Sequence, residues 1–476
     1  MNKTPAWTNR LASPDPLLFW AYGLPLLYWT YLTLTTNFIL VFDSEDFFHL
    51  GQLFYSGRWT EFFLTGPHRE PLYPLLIAGA MWAGQWLGIS YTYFLKIFSF
   101  GFLLIAMICI QRVLGILKVN RWIQAATVLY TGFSPILINS ALCMYSEIAA
   151  FPWLVAAVLW SIRYLEVLRG SERRLAPAFG LSLSLLAFTM VKGAGMVLTP
   201  LFFGWLLIEA WRQSNLKVTD FLRRHKIPIL SLLLVFYLPL GAYQSLNYFF
   251  NKHFALTNRS TMALYGNLNL RADNGLSLKH VLSHLATVPV SYDLCGRLFA
   301  TEECNRWSMS ASDETYLKRQ DALAQQNLSA AQKEKIFNQG IAHALFGHPL
   351  IQAVYLTQEG LKMFFWETSQ GAFVVYPAWL EQLFNLPAVV LTMSLGIGVL
   401  GLVGYVAAAL KLNNKTVRII FVLTSLLLVT FSFVNILQRY AIMAGPLIIL
   451  LTVSGFFAPK TAKDHSSPRP HPTVDS

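Results

Sequence analysis

The sequence predicts an all-α fold: a polytopic transmembrane helical bundle with a mainly helical extracytoplasmic region. Three observations predict it. Of 476 residues 55% are hydrophobic and only 13% are charged, where a soluble domain carries roughly 25% charge. Mean hydropathy is +0.47. Apolar stretches of about 18 residues or more recur along the chain, each long enough to cross roughly 30 Å of hydrocarbon. The solvent these imply is lipid.

The first apolar run, residues 16–42, is too long for a signal-peptide core and lacks a small-residue cleavage site, so it reads as a first span that stays in place. An outer loop follows over 43–70. Residues 71–111 must cross an odd number of times, and fit one full span plus a short outer-leaflet segment broken near 88–90. Further spans are predicted at 122–140, 148–168, 175–191, 194–211 and 227–248. Residues 139–147 lie outside, and a tight turn falls at Val191-Lys192-Gly193. Residues 249–384 form one large polar region, in which 310–346 shows helical spacing ended by Gly347-His348-Pro349. Residues 351–366 suit an interfacial helix. Three last spans, near 385–410, 419–435 and 440–457, precede a Pro-, Ser- and His-rich tail over 458–476 that reads as disordered and cytoplasmic. The chain thus divides into an N-terminal membrane module (1–248), the polar region (249–384), the C-terminal helices (385–457) and the tail (458–476).

The net charge of +12 is not a nucleic-acid footprint. Basic residues gather in short connectors (Arg112, Lys118, Arg121; Arg163, Arg169, Arg173, Arg174; Arg212, Lys217, Arg223, Arg224, Lys226; Lys411, Lys415, Arg418). That is the positive-inside pattern, and it places them in the cytoplasm. Of four cysteines, Cys109 and Cys143 lie in or beside apolar segments and read as packing residues. Cys295 and Cys304 lie in the polar region, where they either pair, if it faces an oxidising compartment, or stay as free thiols.

Three carboxylates, Asp43, Glu45 and Asp46, fall within four residues directly after the first predicted span. If the stretch turns helical, Asp43 and Asp46 share a face and Glu45 points elsewhere. Such a group can act as a general base or help hold a hard divalent cation such as Mg or Mn, with Asp43 and Glu45 as metal candidates; it also suits the first turn of a helix. Arg69-Glu70-Pro71-Leu72-Tyr73-Pro74 places a charge pair before prolines suited to helix entry. Arg69 is shaped for a phosphate, and anchoring at the interface is the plainer role. Glu147 is an acid between two spans on the same outer face. Lys192 and Arg439 are basic residues on the outside, against the charge bias, suited either to snorkelling or to an anionic lipid phosphate. His280 with His284, and His343 with His348, are spaced for metal but have no acidic or cysteine partner at fixed spacing. No phosphate-binding loop, dinucleotide fingerprint or serine-hydrolase elbow occurs.

Together these residues resemble the GT-C superfamily of membrane glycosyltransferases, which includes protein O-mannosyltransferases and the aminoarabinose transferase of lipid A. The resemblance rests on Asp43-Ser44-Glu45-Asp46, the amphipathic stretch 47–57, Arg69-Glu70-Pro71-Leu72-Tyr73-Pro74-Leu75-Leu76, Ser146-Glu147, Lys192-Gly193, and Gln438-Arg439-Tyr440 with Pro446. It leaves out residues 249–384, and Phe47 stands where related sequences commonly carry Tyr. It implies transfer of one sugar from a polyprenyl-phosphate donor to a hydroxyl of a glycan, lipid or protein acceptor, at the periplasmic face of a bacterial inner membrane. Asp43 is then the base, with Glu45, Asp46, Glu70 and Glu147 as supporting acids and Arg69, Lys192 and Arg439 as phosphate ligands. Two other readings fit many helices and a long outer region. One is a polymerase or ligase using lipid-diphosphate glycans, with Arg297, Arg306 and His343 as its candidates. The other is a flippase or transporter without chemistry, which calls for charges near mid-membrane.

Overall fold

The computed structural model describes residues 15–41, 43–64, 66, 69–169, 175–257, 259–287, 292–326, 328, 330–366, 373–433 and 442–459. Helix α1 (Pro16–Thr35) is capped by Asp15, whose carboxylate accepts from Leu17 N and also pairs with Arg121 at 2.9 Å. It ends earlier than the run of apolar residues suggests. Around Leu32-Thr33-Leu34-Thr35-Thr36 β-branched threonines crowd the helix, Thr36 is extended, and β1 (Asn37–Phe38) begins. That strand pairs antiparallel with β2 (Val374–Val375), with Asn37 opposite Val375 and Phe38 opposite Val374.

Helices α2 (Asp43–Tyr55), α3 (Trp59–Leu64) and α4 (Leu72–Leu87) follow. The chain then breaks at Gly88, in the left-handed region (φ 67°), before the 26-residue α5 (Tyr91–Ile116). This is the long-plus-short division expected for 71–111. The span predicted over 122–140 is bent: α6 (Arg121–Phe133) meets α7 (Pro135–Leu142) at 46°, because Pro135 keeps Ser134 out of helical geometry. Next come α8 (Glu147–Arg169), α9 (Ala176–Val191), α10 (Gly195–Ser214) and the 34-residue α11 (Val218–Asn251), which is kinked at His225 ahead of Pro228.

The polar region is helical, as expected: α12 (Arg259–Asn274), α13 (Leu278–Ala286), α14 (Tyr292–Leu298), α15 (Thr301–Asn305), α16 (Met309–Ala324), α17 (Ala330–Gly347), α18 (Pro349–Lys362) and α19 (Ala378–Asn385). Two expectations change here. The stretch 310–346 is two helices, not one. And α18, expected to be an apolar helix, buries a largely polar side: Gln352, Gln358, Glu359 and Lys362 together with Tyr355. The chain closes with α20 (Pro387–Ala409), α21 (Lys415–Ser432) and α22 (Gly445–Phe457). The expected tail lies, from residue 460, outside the described residues.

The protein is therefore an all-α, multi-span membrane protein. Among the described residues α1, α5, α8, α11, α20 and α21 are each long and apolar enough to cross a bilayer, and α6 with α7 reaches that length as a bent pair. Helix α8 is the axis of the bundle, buried on nearly every face against α5, α9, α10, α21 and α22. Small residues permit the closest crossings: a Cβ on Gly404 would lie 2.6 Å from Thr452, and one on Gly180 2.4 Å from Trp160. Cys295 and Cys304 form a disulfide, buried with Ala286 and Phe299, while Cys109 and Cys143 are free and buried. Of the two readings left open for the polar-region cysteines, pairing is the one found.

Candidate active site

The corner between α1 and α2 carries the acids. Ser44 both accepts from Val41 N and donates to Val41 O, each at 2.7 Å, which closes the turn into α2. Asp43, Glu45 and Asp46 then occupy its first turn, where the helix dipole favours carboxylates. Asp43 and Asp46 share a face and converge on Arg69, which donates through Nη2 to Asp43 Oδ1 and, at 2.9 Å, to Asp46 Oδ2. Asp43 is the sheltered partner, its side chain 14% exposed against 57% for Asp46. Glu45 is exposed on the other side of the turn.

Arg69 is itself buried, its guanidinium 5.1 Å above the Phe47 ring, which meets Tyr73 edge-on. Cation–π attraction and two charge-assisted bonds fix its plane. The Tyr expected by resemblance at position 47 is thus replaced by a ring that serves as a floor for Arg69.

The adjacent residue extends the cluster. Glu70 Oε1 accepts from Gly193 N at 2.6 Å, and a Cβ on Gly193 would lie 3.0 Å from the same oxygen. The close approach therefore suits glycine. Lys192, beside it, donates to Glu147 at 3.0 Å. Glu147 opens α8 and is buried; its second oxygen and the Tyr73 hydroxyl are buried with no hydrogen-bond partner among the described residues. Six of the sequence-derived residues (Asp43, Asp46, Arg69, Glu70, Glu147 and Lys192) therefore fall into three sets of contacts, Asp43–Arg69–Asp46, Glu70–Gly193 and Lys192–Glu147, joined through the adjacent backbone positions 69–70 and 192–193. Arg439 lies outside the described residues.

Asp43 and Glu45, named from the sequence as joint metal candidates, do not converge in this arrangement. Asp43 is committed to Arg69, Glu45 points away, and no group of three His, Cys, Asp or Glu gathers among the described residues. The first pair of spaced histidines, His280 and His284, has other partners. His284 bonds Gln358 at 2.6 Å and Glu359 at 2.8 Å, while His280 bonds Asn274 O. The surroundings of His284 form a buried network that sequence reasoning missed. Lys362 lies 2.9 Å and Arg271 4.0 Å from Glu359, and Arg271 donates to Ser432 O at 3.1 Å. Sequence reasoning also missed Lys96, a buried cation in α5; its signal was a lone lysine in a long apolar run.

No family model and no curated protein matches the chain. Among solved structures it is similar to ArnT from Cupriavidus metallidurans bound to undecaprenyl phosphate, at 14% identity and a TM-score of 0.37, over 94% of this chain and 78% of that one.

Proposed function

We propose that the chain is a membrane glycosyltransferase of the GT-C type. It would move a single sugar from a polyprenyl-phosphate donor to an acceptor hydroxyl on the extracytoplasmic face. The observation that carries this is the gathering of Asp43, Arg69, Glu70, Lys192 and Glu147 from four separate stretches of the chain at one end of the bundle. In this reading the acceptor oxygen attacks the anomeric carbon as the bond from that carbon to the phosphate oxygen breaks. Asp43 takes the hydroxyl proton. The lipid phosphate leaves with its electron pair onto Arg69 and Lys192, which favour the charge developing there, and direct displacement inverts the anomeric centre. The donor phosphate would compete with Asp46, the more exposed carboxylate, for Arg69. Sugar hydroxyls would satisfy the buried Tyr73 hydroxyl and the second Glu147 oxygen. The disulfide in the polar region agrees with an oxidising compartment on that side.

The polymerase or ligase alternative draws less support: Arg306 is held by Asn274 at 2.7 Å and by Glu303 at 3.5 Å. A flippase would need its charges deeper than this end-on cluster.

The test uses the full chain in membranes with labelled undecaprenyl-phosphate pentoses and hexoses, scored for glycosidic bond formation and release of undecaprenyl phosphate. Transfer by the native chain and its loss in Asp43→Asn are expected. No transfer from any such donor overturns the reading, and full activity in the variant overturns the base role.

A further inference from the structure

One charged side chain inside the bundle takes no part in the cluster above. Lys96 lies in the second turn of α5 and is only 2% exposed. A buried ammonium is costly unless its donors find acceptors, and two backbone carbonyls face this one. Nζ donates to Thr33 O at 3.0 Å and to Thr36 O, carbonyls at the very end of α1. The same atom lies 5.4 Å from the Tyr93 ring centroid and 5.7 Å from that of Phe38. Helix α1 has no basic residue in its own last turn, so α5 supplies the positive charge that the helix end and its carbonyls favour.

The preceding turn of α5 also holds α2, because the Tyr91 ring packs 5.8 Å from Phe48. Both α1 and α2 are thereby fastened to successive turns of α5, and residues 36–41 lead from the end of α1 toward Asp43. From the other side β2 pairs with β1, and Phe373 O accepts from Ile39 N at 2.9 Å. Asp43 is the first residue of the helix that leaves this corner.

We propose that Lys96 is a positioning residue: its ammonium clamps the end of α1 and, through Asn37–Phe38, sets where the Asp43 carboxylate stands. Its effect on activity rests on the transferase reading; its effect on the corner does not. The experiment uses the full chain with Lys96→Met, Lys96→Gln and Lys96→Arg. Each variant is assayed for transfer, and each is combined with Asn37→Cys/Val375→Cys to follow disulfide cross-linking across β1 and β2. Lys96→Met is expected to lower kcat about tenfold or more with donor KM changed less than about twofold, and to slow cross-linking several-fold. Arginine, which can reach both carbonyls, is expected to restore most of each.

Native kcat together with native cross-linking in Lys96→Met overturns the proposal. So does a raised donor KM at unchanged kcat, which would make Lys96 a donor-binding group. Should Lys96→Met fail to fold, Lys96→Gln, which keeps a shorter, uncharged N–H₂ donor group, is expected to fall between it and the native chain, and native behaviour in Lys96→Gln overturns the proposal equally. A native chain that transfers no sugar sinks the transferase reading, and the cross-linking rate then decides on Lys96 alone.

Discussion

Glu70 and Gly193 stand 123 positions apart in the chain, yet the Glu70 carboxylate accepts the Gly193 N–H at 2.6 Å. This one bond ties the pair Arg69-Glu70 to the pair Lys192-Gly193. It thereby joins the carboxylates around Arg69 to the buried Lys192–Glu147 pair.

Removing that acceptor leaves a half-buried backbone donor without its partner, a cost at the lower end of about 1–3 kcal/mol, and frees the turn that carries Lys192. Glu70→Ala is expected to lower transfer about tenfold, since about 1.4 kcal/mol is one decade in rate. Glu70→Gln, whose amide oxygen still accepts, is expected to lose much less. Initial rates with a labelled polyprenyl-phosphate sugar check both, and equal losses would show that charge rather than the bond matters.

The two carboxylates on Arg69 are expected to separate in effect. If Asp43 is the base as proposed, Asp43→Asn should lower turnover by about 10²–10⁴-fold. The Asp46 side chain is 57% exposed, so its ion pair is worth little, and Asp46→Asn should cost less than about tenfold. Single-turnover assays distinguish the two, and a reversed order would move the base to Asp46.

Lys192→Met takes a cation away from a carboxylate that is 2% exposed. Breaking a buried ion pair from one side costs about 3–5 kcal/mol, so the thermal midpoint should fall. Adding Glu147→Leu is expected to recover much of the stability but none of the transfer. Calorimetry or a fluorescence melt in detergent, run beside the activity assay, reads both.

Acid should weaken the polar region. Burial, reinforced by the charge of Lys362, pushes His284 down to about 4 despite its bond to Glu359. An unfolded histidine takes its proton near about 6.5. As pH falls from there toward about 4, the unfolded chain binds a proton that the folded chain refuses, and stability declines. Burial alone would raise Glu359, but Lys362, His284 and Arg271 outweigh it and hold the carboxyl below its usual range. Its stabilisation is present above that range and is lost on acidification, so both groups act in the same direction. Thermal midpoints measured across this window should drop, and His284→Gln should flatten the upper part of the curve. An unchanged slope in that variant would place the titrating group elsewhere.

Much of this was legible because hydropathy and charge are local signals. The apolar runs located the helices, the lone Pro and Gly punctuation at Gly88 and Gly347-His348-Pro349 located breaks, and Asp43, Arg69, Glu147 and Lys192 stood out as charges at helix ends. The early end of α1 was not legible, because it depends on a strand pairing with residues 374–375, far along the chain. Nor was the burial of α18: Gln358, Glu359 and Lys362 look like a wet face until Arg271 and His284 arrive from other helices. The Glu70–Gly193 bond was hidden for the same reason. Pairings set by distant segments leave no periodic trace.

The two-residue sheet has a consequence for how the protein is made. While the chain grows, Asn37 and Phe38 have no strand to meet until Val374 and Val375 emerge, with the whole polar region synthesised in between. The corner that precedes Asp43 is therefore completed late, after the disulfide-bearing segment exists. A ribosome-stalled or truncated product stopping before residue 374 would insert its early helices and still lack a finished site.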